Sequence, residues 1–344
     1  MFMFRKRKTN LTRKLLKARK KRMYDEGGGG PAEEEDVCDG LLKRLEENQL
    51  DMLLKAIEGR GQNVSNCVLV PRSHEDRPHV LCCQVWRWPD LSQFTQLRSL
   101  PICHSASDPV YICCNPYHWS RLHQPETPPP PYCRSSSDML KPEDRAPSEV
   151  PLVTRDSYPE SLTTNGDSHM ASNAWCNLAF WQMRTRVGRT YPVEYATVNI
   201  FGSEPPHGQG ICLKNLAQHS FSPPESDVKT MCKIGLGITL SLEGDCVWLY
   251  NRSEVPIFVH SLTLCDPESN PSSNPTKVPA EHCLCVYDLS LVHGHSYYAQ
   301  HNLGPIDPHS IKVSFVKGWG SNYKCRDITS CPYWLEICLR APCR

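Results

Sequence analysis

This 344-residue sequence lacks any run of about 18 apolar residues, so no membrane-inserted segment is expected. Behind its basic N-terminus there is no apolar core, so no secretory leader is expected either. Without secretion, the 19 cysteines are expected to stay reduced, as buried small apolar residues or metal ligands. The sequons at Asn10, Asn63 and Asn251 then carry no sugar. Strong net charge is missing as well: +1 overall provides no global field for nucleic acid. The sequence has no G-x-G-x-x-G, no phosphate-binding loop, no G-x-S-x-G and no H-E-x-x-H. No segment supports a cysteine nucleophile, and the chain reads as a non-enzyme. Internal repeats and C-x-x-C pairs are absent too.

What is present is unevenly distributed. Residues 5–22 hold eleven Lys or Arg and no acid; residues 25–39 hold seven acids and no base. Leu11, Leu15 and Leu16 have helical spacing, yet the basic run reads as a disordered arm suited to nuclear import or phosphate contact. Glycines 27–30 and the following acids read as a flexible linker, making 1–39 an arm without a core. Leu42, Leu45, Leu50, Leu53, Leu54 and Ile57 predict helix broken near Asn48, with Asp51 capping the second piece and Gly59 ending it. Residues 67–70 and 80–86 predict short strands. Trp88-Pro89-Asp90-Leu91 predicts a turn into a short polar helix, and residues 40–122 together read as a small α+β domain. Residues 123–173, rich in Pro, Ser, Thr and Asp, read as a linker.

From Trp175 onward, short strands spaced by turns predict a C-terminal β-sandwich with flanking helices over 174–344. Ser222, Pro223 and Glu225 predict a helix start that Gly235 stops, with Lys229 and Lys233 on one face. Near the end Ile311, Val313 and Phe315 alternate as one face of a strand. Gly318 and Gly320 then bracket Trp319 in a loop that holds a large side chain in place.

Three constellations carry chemistry. Cys113 and His118 lie across a tight Asn-Pro turn that lets them converge, and Cys67 and Cys103 could complete a closed Cys₃His site with no open position. On spacing alone, plain buried thiols remain the alternative. Pro129-Pro130-Pro131-Tyr132 presets a polyproline helix that suits a WW-domain groove, with linker stiffening as the alternative. Lys229, Lys233, Lys317, Lys324 and Arg326 could receive phosphorylated Ser or Thr if the helix and loop adjoin. A solvated basic face is the alternative.

Taken in order, these segments resemble the Smad family, and its inhibitory branch in particular. Cys67-Val-Leu-Val-Pro-Arg72, Val85-Trp-Arg-Trp-Pro-Asp-Leu91 and Cys113-Cys-Asn-Pro-Tyr-His118 resemble a first Mad homology domain. Trp175-Cys176, Arg186-Val-Gly188, Pro256-Ile-Phe-Val259 and Phe315-Val-Lys-Gly-Trp-Gly320 resemble the second. Thr185-Arg-Val-Gly-Arg189, Lys233-Ile-Gly-Leu-Gly-Ile238 and Val247-Trp-Leu-Tyr-Asn-Arg252 are similar to the inhibitory pattern, as is Pro342-Cys-Arg344 in place of a Ser-x-Ser tail.

The resemblance implies one structural zinc per chain on Cys67, Cys103, Cys113 and His118. It implies a WW-domain ligand at Pro129, Pro130 and Tyr132 for HECT-type ubiquitin ligases. It also implies a receptor-binding basic surface of Lys229, Lys233, Lys317, Trp319, Lys324 and Arg326. The implied role is an adaptor in cytoplasm and nucleus that binds activated type I TGF-β/BMP receptors and other Smads, with a nuclear co-repressor as the alternative. Two departures stand out. Only residues 74–77 separate Ser73 from Pro78, too few for a base-reading hairpin, so sequence-specific DNA binding of the usual Smad kind is not expected. Where inhibitory Smads carry Tyr-x-Arg-Gln, this chain has Tyr323-Lys-Cys-Arg-Asp327, and lysine does not reproduce bidentate arginine contacts.

Overall fold

The computed structural model describes residues 2–25, 33–61, 66–73, 77–124, 173–203, 210–217, 225–265, 274–292 and 307–340. Helices α1 (Phe2–Asp25), α2 (Glu33–Arg44) and α3 (Glu47–Gly59) open the chain. The expected disordered arm is therefore a helix. Leu15 is fully buried and Leu11 nearly so, in one core with Leu42, Leu45, Leu50 and Leu53. Three leucines at helical spacing decided the matter once α3 offered them a partner; charge density alone predicts otherwise. Part of the expected acidic linker is likewise the start of α2. The break between α2 and α3 falls at Glu46 rather than near Asn48. There the Gln49 side chain accepts a hydrogen bond from the Glu46 backbone N–H at 2.8 Å, closing a capping box. Arg60, at φ 46, ends α3 one residue beyond Gly59.

β1 (Leu69–Pro71) pairs antiparallel with β3 (Tyr111–Cys113). Between them lie α4 (Pro78–Trp86) and β2 (Leu97–Ser99). The strand expected over 80–86 is thus helix α4. Pro78 occupies its first turn, where a missing N–H costs nothing, and His79, Val80, Cys82, Cys83 and Trp86 are buried along it. A short apolar run does not reveal its own period. The polar helix expected after Leu91 is a single 3₁₀ turn, Phe94–Gln96. A further 3₁₀ turn, Pro116–His118, leads into β4 (Trp119–Leu122).

The C-terminal part has eleven strands among the described residues. β5 (Cys176–Gln182), β6 (Thr185–Val193), β7 (Thr197–Phe201) and β8 (Ile211–Cys212) come first. Helices α5 (Leu213–Ala217) and α6 (Glu225–Ile234) follow, and Gly235 at φ 52 ends α6 as expected. Ser222 and Pro223 lie outside the described residues. β9 (Ile238–Glu243), β10 (Cys246–Asn251), β11 (Ile257–His260) and β12 (Thr276–Val278) continue. β13 (His282–Asp288), β14 (Ser310–Phe315) and β15 (Trp334–Leu339) complete the chain's strands. One sheet runs β12-β11-β14-β15-β5-β6. It packs on the other through Val259, Val313, Phe180 and Ile337, against Ile238, Leu240, Leu249 and Val286. These are alternate positions along each strand, which is the sandwich pattern read from the sequence.

The second sheet crosses the expected domain boundary. Its order is β2-β4-β13-β10-β9-β7-β8, and β4 runs parallel to β13, with Arg121 opposite His282 and Leu122 opposite Cys283. Two N-terminal strands thereby extend a C-terminal sheet. Arg87, almost fully buried, meets Glu281 at 3.0 Å across this seam and donates to the Pro116 carbonyl at 2.8 Å. Arg98 pairs with Glu243, donates to the Tyr250 hydroxyl at 3.0 Å and stacks on Trp248 at 3.7 Å. Nothing in residue spacing announces a pairing this distant.

Candidate functional site

The local fold brings four expected ligands to one point. Cys67 precedes β1, Cys113 ends its partner β3, and His118 closes the 3₁₀ turn that Asn115 caps by accepting from the Tyr117 N–H at 3.0 Å. Cys103 arrives from a turn after β2 whose N–H donates to the Leu100 carbonyl at 2.9 Å. Their ligand atoms all lie within 4.8 Å of one another. Cys67 Sγ is 3.9 Å from Cys103 Sγ and 3.4 Å from His118 Nδ1, and Cys113 Sγ is 3.6 Å from the same nitrogen. A tetrahedral ion with three thiolates and one imidazole needs edges of about 3.6 to 3.8 Å. The four residues therefore fit a metal ion.

Electrostatics agree with that. Hydrogen bonds with Cys113 and Cys67 hold the Cys103 thiol far below the usual thiol range, while the same contacts drive Cys113 upward. Cys103 and Cys113 are thereby driven apart, one toward the thiolate and the other toward the thiol. Burial by itself lowers His118, but bonds to Cys103 and Cys67 outweigh it and raise the imidazole to about 9. A cation at the centre removes this divergence. The Asn115 N–H donates to Cys113 Sγ at 3.4 Å, and Ser105 Oγ is 3.3 Å from Cys103 Sγ; both orient ligands from outside.

The loop after β14 is the second element. Val316 stands at φ 68, costly for a β-branched residue, and turns the chain out of the strand. Trp319 is 5% exposed, packed with Phe258, Ile328, Cys331 and Trp334. It is thus the loop's internal anchor rather than part of a contact surface. A Cβ on Gly318 would meet the Tyr323 ring at 2.6 Å, and Gly320 stands at φ 102, so both positions require glycine. The Gly320 N–H donates to the Cys325 carbonyl at 2.9 Å, closing the loop on itself. Lys317, Lys324 and Arg326 are left exposed. Cys325 packs against the same cluster, within hydrogen-bond reach of Cys331, whose thiol burial pushes up to about 12.

Lys229 and Lys233 are exposed on α6. That helix packs beside β7, where the Gly202 N–H donates to the Gly235 carbonyl at 3.0 Å. The loop rests instead on the six-stranded sheet, through Phe258 and Trp334. Pro129, Pro130 and Tyr132 lie outside the described residues. Sequence reasoning missed Arg87 and Arg98, whose partners lie 194 and 145 positions away. Among the described residues, no helix is long and apolar enough to cross a membrane.

Comparison with known proteins follows the same division. Residues 34–123 match the MH1 domain and residues 173–340 the MH2 domain. The chain is 42% identical over 323 residues to "Mothers against decapentaplegic homolog 6" of Gallus gallus, covering 88% of this chain and 74% of that protein. It is 36% identical over 343 residues to "Mothers against decapentaplegic homolog 7" of Homo sapiens, covering 90% and 79%. "Dwarfin sma-3" of Caenorhabditis elegans is 29% identical over 344 residues, covering 90% and 87%. With both Mad homology domains in order and these relatives over most of its length, the chain belongs to the Smad family of non-enzymatic signal transducers, in the inhibitory branch that acts in TGF-β/BMP signalling.

Proposed function

We propose that the protein is an adaptor that binds activated type I TGF-β/BMP receptors through its C-terminal domain and keeps receptor-activated Smads away from them. The observation that carries this reading is the closed loop around buried Trp319, which holds Lys317, Lys324 and Arg326 outward together. A preorganised cationic rim suits a phosphorylated segment, because the side chains lose little freedom on binding. Lys229 and Lys233 on α6 add a second cationic face.

Pro129, Pro130 and Tyr132 then recruit a WW-domain HECT ubiquitin ligase. Two sites on one chain raise the ligase's effective concentration at the receptor. Zinc is the metal of the Cys67, Cys103, Cys113 and His118 site. With all four positions filled it serves folding, not hydrolysis. The protein works in both cytoplasm and nucleus, engages other Smads, and does not read DNA bases in the usual Smad way.

Co-precipitation with constitutively active and kinase-dead type I receptors tests the central claim. Binding should require the active kinase and be lost when Lys317, Lys324 and Arg326 are all changed to Glu. Binding indifferent to those changes removes the loop from the receptor interface. A Tyr132→Ala protein should still bind receptor but fail to bring ligase. Association with no receptor, together with nuclear enrichment, would favour the co-repressor alternative.

A further inference from the structure

A groove of about 1040 Å³ opens in the N-terminal domain beside the seam and takes no part in the sites above. Its floor is β2, and its walls come from β1, β3 and the start of α4. Ser241 and Glu243 of β9 close one end. All three residues of β2 line it. Successive side chains of a strand point to opposite faces, so a groove that touches all three runs along the strand's edge. β2 is the terminal strand of the seven-stranded sheet, and among the described residues no further strand pairs with its outer edge.

The groove's chemistry is amphipathic. Phe94 and Val110 are 45% and 57% exposed on its rim. Three arginines, Arg72, Arg77 and Arg98, line it, against Glu243 as the one acid among its described lining residues. Arg98 is already committed to Glu243 and Tyr250. Arg72 gives one bond, Nε to the Asp108 carbonyl at 2.8 Å, and remains exposed. Arg77 stands over Phe94, its guanidinium carbon 3.5 Å from the ring centre, and the residue is exposed. His79, 7% exposed, also lines the groove, and its Nδ1 has no hydrogen-bond partner among the described residues. A buried polar nitrogen without a partner is costly in a folded protein and calls for a ligand group.

We propose that this groove binds an extended acidic peptide, laid along β2 as an added strand. Its alternate carboxylates meet Arg72 and Arg77, its apolar side chains cover Phe94 and Val110, and a polar group reaches His79. Strand addition supplies affinity through the backbone, and the side-chain alternation supplies selectivity. A single phosphate would leave most of such a volume empty. A duplex would meet apolar walls where it needs cations, in a chain whose net charge is +1.

The test is fluorescence anisotropy of the full-length protein with a labelled dodecapeptide alternating Glu and Val. Saturable binding that weakens with salt is expected. It should weaken at least about tenfold in the Arg72→Glu, Arg77→Glu double variant. Lys55→Glu, on the exposed face of α3, should leave it unchanged. Both altered arginines are exposed, and circular dichroism checks that the variant is folded. N-methylation of alternate peptide nitrogens should abolish binding. Equal binding of a Lys-Val peptide, or indifference to the charge reversal, overturns the proposal. So does displacement by inorganic phosphate or by a DNA duplex at lower concentration than unlabelled peptide. Indifference to N-methylation overturns the added strand.

Discussion

His79 is buried and His260 half-buried, and desolvation lowers each imidazole to about 4, with Arg72 and Arg77 acting on the first and Lys312 on the second. The unfolded chain accepts those protons near the ordinary midpoint of about 6.5, whereas the fold refuses them. Their contribution to stability is therefore complete above about 6.5 and is lost as pH falls toward 4. Thermal unfolding from pH 7.5 to 4.5 should show that decline, and His260→Gln should make it shallower. Glu336 works in the opposite sense. Burial raises its carboxyl, Lys312 only partly opposes this, and Oε2 has no hydrogen-bond partner among the described residues. The fold binds that proton more tightly than the unfolded chain does, so Glu336 favours the fold at low pH and loses that contribution as pH rises through its folded midpoint. Glu336→Gln should raise the melting temperature at pH 7 by about 2 to 4 °C, with little change at pH 4. At the candidate metal site, Cys103→Ser should lower the bound metal read by elemental analysis, proposed above as one zinc per chain, and lower the melting temperature.

Among the elements, α1 separates two kinds of reading. Its charge density predicts solvation, but its leucine spacing predicts burial, and burial decides. Lys8 donates to the Lys43 carbonyl at 3.1 Å and Arg7 pairs with Glu47 at 3.3 Å, so some of the basic residues bond back to the neighbouring helices. Leu15→Ala should cost about 2 to 5 kcal/mol in denaturant unfolding and remove amide protection from α1. A loss below about 0.5 kcal/mol would mean the helix is not docked. What the sequence made legible was local: the Gly318-Trp319-Gly320 anchor, the alternation in β14, and the turn that lets Cys113 and His118 converge, while Cys67 and Cys103 were assigned to them only through the resemblance. Each depends on residues a few positions apart or on turn chemistry. What it hid depended on partners. Val80 and Trp86 read as strand because β-branched and aromatic residues favour strands, while the deciding fact, burial around α4, belongs to its neighbours. The resemblance places Trp319 on a basic surface, yet its ring is buried in the cluster with Phe258 and Trp334.

For the whole molecule, the seam between β4 and β13 makes the two Mad homology domains one hydrogen-bonded object. Arg87 sits on both sides of that statement, since it pairs with Glu281 while donating to carbonyls within its own domain. Changing Glu281 to Lys leaves the buried guanidinium facing a like charge. The two domains should then be cut apart by limited proteolysis sooner than in the parent protein, and where the parent is expected to unfold in one transition the variant should unfold in two. If digestion and unfolding are unchanged, the seam contributes little to holding the domains together.

That seam also has a history within each synthesised molecule. Ser120 donates to the Glu281 carbonyl across 161 positions of chain. At about 5 to 20 residues per second, ribosomes take on the order of ten seconds or more to make that span. Through that interval β2 and β4 are complete but the strand that will flank them has not been translated. One side of β4 has its neighbour; the other waits, its backbone groups open to any extended chain nearby. For each copy of this protein, the delay between the first domain and its missing strand is a period of exposure that ends only when β13 arrives.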